Sequence, residues 1–235
     1  MEYFVSLLAS VLSIMLVITL HEFAHAFVAY KCGDPTAKFA GRMTLNPVKH
    51  FDLLGIVMFA VAGFGWAKPV PINPYNFKNP KSGALWTSAA GVIVNYLTAF
   101  LVYPILAVVI LYLLPAVEGT YAELFFYSFF VGMLLYSLSF CVFNLLPFYP
   151  LDGFRIIDAT TTRKGQVYQF LYQYGYYVLL GLIVLHVFAS RLPMLGYIDL
   201  LGYALTFVRN VLSQPISLFW NWIFGLFGVH IPFTL

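Results

Sequence analysis

Apolar residues dominate this chain in long unbroken runs, and polar residues fall in short clusters between them. Residues 3–30 read as one apolar helix, longer than the roughly 20 residues that cross a bilayer. Gly33, Asp34 and Pro35 stop it. Over residues 37–45 polar and apolar positions alternate, a weak strand pattern that Asn46-Pro47 ends. Residues 53–66 are apolar but too short for a span, which suits a re-entrant or interfacial segment. The Pro- and Asn-rich stretch after Trp66 is an extended loop. Further helices are expected over 84–114, with Pro104 as a kink, over 122–146, and over 167–190. Residues 155–166 are polar. The apolar stretches 195–208 and 216–229 fit a helical hairpin, two shallow helices or two short spans.

Composition turns these runs into a fold class. Hydrophobic residues make up 62% of the 235 and charged residues only 9%, against about a quarter charged in soluble domains. The expectation is an α-helical integral membrane protein. It has about four to six transmembrane helices and a short membrane-associated, β-like or re-entrant segment between the first and second core helices. It reads as one membrane-embedded domain over 1–235, with a core at 1–155 and C-terminal helices at 156–235. The lipid bilayer is its medium. No basic run points to nucleic acid. Cys32 and Cys141 are read as free thiols. The N-terminal run lacks a basic leader and is too long for a signal-peptide core, so it is taken as a retained helix.

Charge orients the spans. Lys31, Lys38, Arg42 and Lys49 follow the first helix, Lys68, Lys78 and Lys81 precede the second, and Arg155, Arg163 and Lys164 follow the third. Lysine and arginine favour the cytoplasmic side. Placing these stretches there accounts for ten of the twelve basic residues and requires residues 53–66 to return to the side they left.

Chemistry concentrates at His-Glu-Phe-Ala-His, residues 21–25. On a helix His21 and His25 lie one turn apart on one face, the spacing with which two imidazoles bind one zinc ion while Glu22 handles a proton. Ionisable groups in hydrocarbon are costly and mark function. A hydrolytic zinc site needs a third protein ligand and an open position. Depth excludes Glu2, Glu118 and Glu123. Asp152, at the Pro- and Gly-broken end of an apolar helix, is assigned as the third ligand. Glu22 then serves as general base and acid. Asn144 either holds substrate backbone or a developing oxyanion, or makes a helix–helix hydrogen bond. His186 is read as a packing or hydrogen-bonding residue, His230 as interfacial, and His50 and Asp52 as loop polars at the interface rather than a pair behind the ligands.

In order, HEFAH, NPVKHFD at 46–52, GFGWAKPVPINP at 63–74, SAAGVIVN at 88–95 and NLLPFYPLDG at 144–153 resemble the site-2 proteases, zinc metalloproteases that cut within the membrane. The resemblance covers residues ~18–155 and is to the compact prokaryotic type without PDZ or CBS domains. It implies one zinc ion on His21, His25 and Asp152, Glu22 as the catalytic glutamate, Asn144 near the substrate, and a β-like segment within 37–72. A transmembrane protein would be the substrate and the prokaryotic cell membrane the location, with the site towards the cytoplasm. Room is left for an oligomer or a regulatory membrane partner. The sequence departs from relatives at Asp52-Leu53-Leu54-Gly55 and within GVIVN, and neither departure is expected to touch a ligand. A metal transporter is the alternative, weakened by the lack of a visible repeat. An inactive scaffold is a third reading.

Overall fold

The computed structural model describes residues 1–62 and 65–233. Helix α1 runs Glu2–Cys32 and ends on Gly33, whose φ of 113° suits a residue without a Cβ. A short helix α2, Thr36–Phe39, follows, then α3, Leu53–Ala62. Helix α4, Pro80–Val108, begins on an Asn79 cap with proline at its first position, and continues through a π turn and a 3₁₀ turn to Val117. Helix α5, Tyr121–Asn144, is capped by Thr120. Three more follow: α6, Asp152–Thr160, α7, Gln166–Arg191, and α8, Leu200–Leu226. Among the described residues four stretches are long and apolar enough to cross a membrane: α1, Pro80–Val117, α5 and α7. The chain is a multi-pass, α-helical membrane protein.

The direction of the helices follows from their contacts. His25 meets Thr87 and His21 meets Asn95, so α1 and α4 are antiparallel. Ser13 bonds Phe129 and His21 packs on Phe140, so α1 and α5 are parallel. The amide of Lys78 donates to the carbonyl of Cys32 at 3.0 Å, so α4 begins where α1 ends. The excursion between them therefore returns to its origin, as the charge pattern requires. Within it, Lys68 N donates to His50 O at 2.9 Å, and Phe51 and Ala67 form an antiparallel bridge. These contacts close a hairpin with α3 in its loop, the return to the starting side expected of 53–66; Gly63 and Phe64 lie outside the described residues.

The strand expected over 37–45 is not there. Asp34 Oδ1 accepts from the backbone N and Oγ1 of Thr36 and starts a helical turn instead. Gly41, at φ 67°, closes that turn with the Arg42 amide bonded to Ala37 O at 2.8 Å. Local capping overrides an alternation that has no neighbouring strand to pair with. Among the described residues the Phe51–Ala67 bridge is the one β-type contact.

The central core lies between α4 and α5, where Tyr103, Leu106, Leu134 and Leu138 are buried with Ile216 of α8. At Gly132 a side chain would press on Ser13, so glycine sets the α1–α5 approach. The tail corrects the reading of two 14-residue pieces: α8 is one continuous helix with Pro215 inside it. It docks on α4 through Trp220 Nε1 to Phe100 O, 2.8 Å, and Tyr96 Oη to Leu212 O, 3.2 Å. Neighbouring helices of this kind make an internal proline tolerable in a membrane. The first part of the stretch read as polar, 155–166, belongs to the amphipathic α6, whose Asp158 pairs with Lys164 at 2.8 Å.

Candidate metal centre

His21 and His25 sit on the buried face of α1, and their Nε2 atoms are 3.0 Å apart. Asp152 comes from the first turn of α6. Its Oδ2 lies 3.1 Å from His25 Nε2 and 3.4 Å from His21 Nε2. Three donors on two distant parts of the chain thus meet at one buried point. A zinc ion with tetrahedral bonds of about 2.0–2.1 Å sets its ligand atoms roughly 3.3 Å apart. Asp152 Oδ2 is buried with no hydrogen-bond partner among the described residues, a costly state that a cation relieves. The donor set, two imidazoles and a carboxylate, and its spacing fit zinc.

Partners behind the imidazoles present their Nε2 atoms inward. His25 Nδ1 lies 2.6 Å from Thr87 O, which fixes the proton on Nδ1 and leaves the Nε2 lone pair free. His21 Nδ1 lies 3.0 Å from the Asn95 amide, whose Oδ1 is buried without a partner. Turning that amide half a revolution, which leaves its shape unchanged, lets Nδ1–H donate to Oδ1. His21 then has the same tautomer as His25. Gly91 makes room for both contacts, since a Cβ there would run into the two imidazole rings. Gly153 does the same for α6: a side chain would strike the Leu145 and Leu146 carbonyls and push Asp152 away.

Glu22 is buried on the same turn of α1. Its Oε2 accepts the Val70 backbone N–H at 3.0 Å. With His25, Asn144, Asp152 and Arg155 it lines a cavity of about 120 Å³. Asn144 Nδ2 donates to Phe140 O of its own helix at 3.0 Å.

This arrangement brings together all five residues singled out in the sequence, His21, Glu22, His25, Asn144 and Asp152. A model of peptidase family M50 matches residues 9–186. The chain belongs to peptidase family M50. Over 149 residues it is 42% identical to YwhC of Bacillus subtilis, a protein named as a zinc metalloprotease; the match covers 63% of this chain and 67% of that one. Rip2 of Mycolicibacterium smegmatis, also named as a zinc metalloprotease, is 28% identical over 153 residues, 63% of this chain and 55% of the relative. No solved structure matches. As a member of this family, the chain is a membrane-associated zinc metalloprotease.

Some residues at the site escaped the sequence reading. The departure within GVIVN is expected to leave the ligands untouched, yet Asn95 at its end contacts His21 directly. Gly91 and Asn95 share a helix face, and that pairing was the available signal; nothing in the sequence says which neighbour the face meets. Thr87 and Val70 act through backbone atoms and leave no side-chain signature. His50, read as an interfacial polar, is fully buried and bonded to Thr44 O at 2.8 Å, while Asp52 caps Gly55. His186 pairs with Asp199 at 2.8 Å, a hydrogen-bonding role far from the site in sequence.

Proposed function

We propose that this chain is an intramembrane zinc endopeptidase that cuts a peptide bond in or near a transmembrane segment of another membrane protein, in the manner of regulated intramembrane proteolysis. The observation that carries it is the buried triangle of His21 Nε2, His25 Nε2 and Asp152 Oδ2, 3.0–3.4 Å on a side, next to Glu22. These three residues would hold one zinc ion. Zinc in such a site polarises a carbonyl and makes water a competent nucleophile near neutral pH. Glu22 keeps Oε2 on the Val70 amide and has Oε1 to accept the proton of the attacking water and return it to the leaving amine nitrogen. Asn144 has Nδ2 engaged with Phe140, which leaves Oδ1 to accept a substrate backbone N–H. A substrate helix satisfies its own amides and must unwind before this geometry can reach a peptide bond.

We read residues 1–235 as one metalloprotease unit with its site towards the cytoplasmic face of a prokaryotic cell membrane. The basic residues that flank α1, α4 and α6 support that orientation. The test couples two measurements. Purified protein should carry about one zinc per chain, lost in Asp152→Ala. Cleavage of a model transmembrane substrate should disappear in Glu22→Gln, a loss of at least ~10³-fold, while zinc stays. Zinc flux in liposomes without cleavage of any membrane substrate would replace this reading with a metal carrier.

A further inference from the structure

The extended stretch Trp66–Asn73 crosses the site as a strap, and its sequence is built to present a single amide. Pro69 and Pro71 have no N–H and a fixed φ. Lys68 and Val70 each precede a proline and are thereby held extended. Val70 is then the one residue between Lys68 and Ile72 with a backbone donor, and that donor goes to Glu22 Oε2 at 3.0 Å.

The strap is pinned on both sides of this amide. Upstream, Lys68 N donates to His50 O at 2.9 Å, and the guanidinium of buried Arg42 donates to Lys68 O. Downstream, Asn73 N donates to Asp34 Oδ2 at 2.7 Å. The Val70 side chain is buried against Ala26, one residue beyond His25 on α1, and Ala37 of α2. The buried side chains of Arg42 and Asp34 and the backbone carbonyl of His50, all outside the metal-binding set, thus converge on the strap.

We infer that the Pro69-Val70-Pro71 strap is a positioning device for the general base: the Val70 N–H fixes one carboxylate oxygen of Glu22 and aims the other into the cavity. This rests on the endopeptidase reading. A carboxylate on a long side chain has several rotamers of similar energy, and one charge-assisted bond from an immobile donor selects among them. Proline on each side leaves residues 69–71 no other backbone donor with which to bind Glu22 differently. Val70 therefore acts through Glu22 and does not touch substrate.

Val70→Pro deletes the donor while keeping the backbone extended. Val70→Ala keeps the donor and trims the packing. Activity on a model transmembrane substrate should fall on the order of 10²-fold in kcat for Val70→Pro, with KM within about threefold and zinc content at the wild-type level. Val70→Ala should exceed Val70→Pro in kcat by at least about tenfold. Equal kcat in the two variants, or faster cleavage by Val70→Pro, would overturn the inference, the latter by making the strap a lid. Amide hydrogen exchange supplies a readout that needs no substrate. In a peptide covering residues 68–72, exchange at Val70 should accelerate at least about tenfold in zinc-loaded Glu22→Ala relative to zinc-loaded wild type. Unchanged exchange overturns the positioning role. Faster exchange in a protein whose wild type cleaves nothing leaves the strap contact standing and refutes the endopeptidase reading alone.

Discussion

Two parts of this membrane protein are made from long apolar helices and pack in opposite ways. In the apolar stretch of α4, 39% of residues are buried, and in that of α7 only 11%. The difference lies in residue size along the contact face. Helix α4 presents Gly91, Ala99 and Ala107 with Thr87 and Asn95, all buried, and α1 presents Ala24, Ala26 and Ala29 with the two histidines. Helix α7 carries Tyr168, Tyr172, Tyr174, Tyr176 and Tyr177, and the last four are exposed. Without a hydrophobic force between helices in lipid, small residues permit close backbone approach and bulky ones face outward. Hydropathy places both in the membrane, and residue size separates the helices packed around the candidate metal centre from one at the periphery.

The sharpest way to break this comparison is to add a methyl group to each side of it. Gly91→Ala sets a Cβ against both imidazoles, so zinc per chain and cleavage should each fall at least tenfold on the logic of a ligand displaced by its supporting shell. Circular dichroism should show the helices intact. Asn95→Ala should weaken zinc affinity by about 10–100-fold in a chelator competition, since it removes the partner of His21 Nδ1. Asn95→Asp, which retains an acceptor, should recover part of that loss.

A stability prediction sharpens the contrast at the edge of the core. Asp34 is buried under donors from Thr36, Asn73 and Asn76. Burial alone would raise its pKa, but hydrogen bonds from Thr36, Asn76 and Asn73 together prevail and lower it. Its contribution is thus present above the ordinary aspartate value of about 3.9 and is lost as pH falls through the lower folded-state value. Asp34→Ala should cost ~2 kcal/mol near neutral pH, read as a lower Tm, and should flatten the acid end of the Tm–pH curve. The smallest effect is expected from Gly181→Ala in α7, where a Cβ meets open space. Stability should move by no more than about 0.5 kcal/mol with zinc content unchanged. A loss of zinc in that variant would mean that α7 is coupled to the centre after all.

The same division explains what could be read from the sequence. His21 and His25 are legible because a helix fixes their spacing, and Asp152 because a carboxylate at an apolar helix end needs a reason. The helices α1, α4, α5 and α7 follow from their apolar length. Partners that act through the backbone, Thr87 O and Val70 N, have no side-chain signature, so only the fold reveals them. The alternation over 37–45 misled because it records which residues are polar and not the Asp34 cap that coils them. The apolar stretches 195–208 and 216–229 read as separate pieces because polar residues and Pro215 part them, and the contacts of α8 with Phe100 and Tyr96 span that gap.

The bond between Lys78 and Cys32 has a further consequence, for descent and engineering. It joins the end of α1 to the start of α4, so everything between them is a closed excursion from a fixed doorway. Closing a flexible loop costs only about 0.6 kcal/mol more for each doubling of its length. Segments there, outside the strap at 66–73, can therefore be lengthened, shortened or exchanged while His21, His25, Thr87 and Asn95 stay in register. One metal-binding frame in this way carries many different loops.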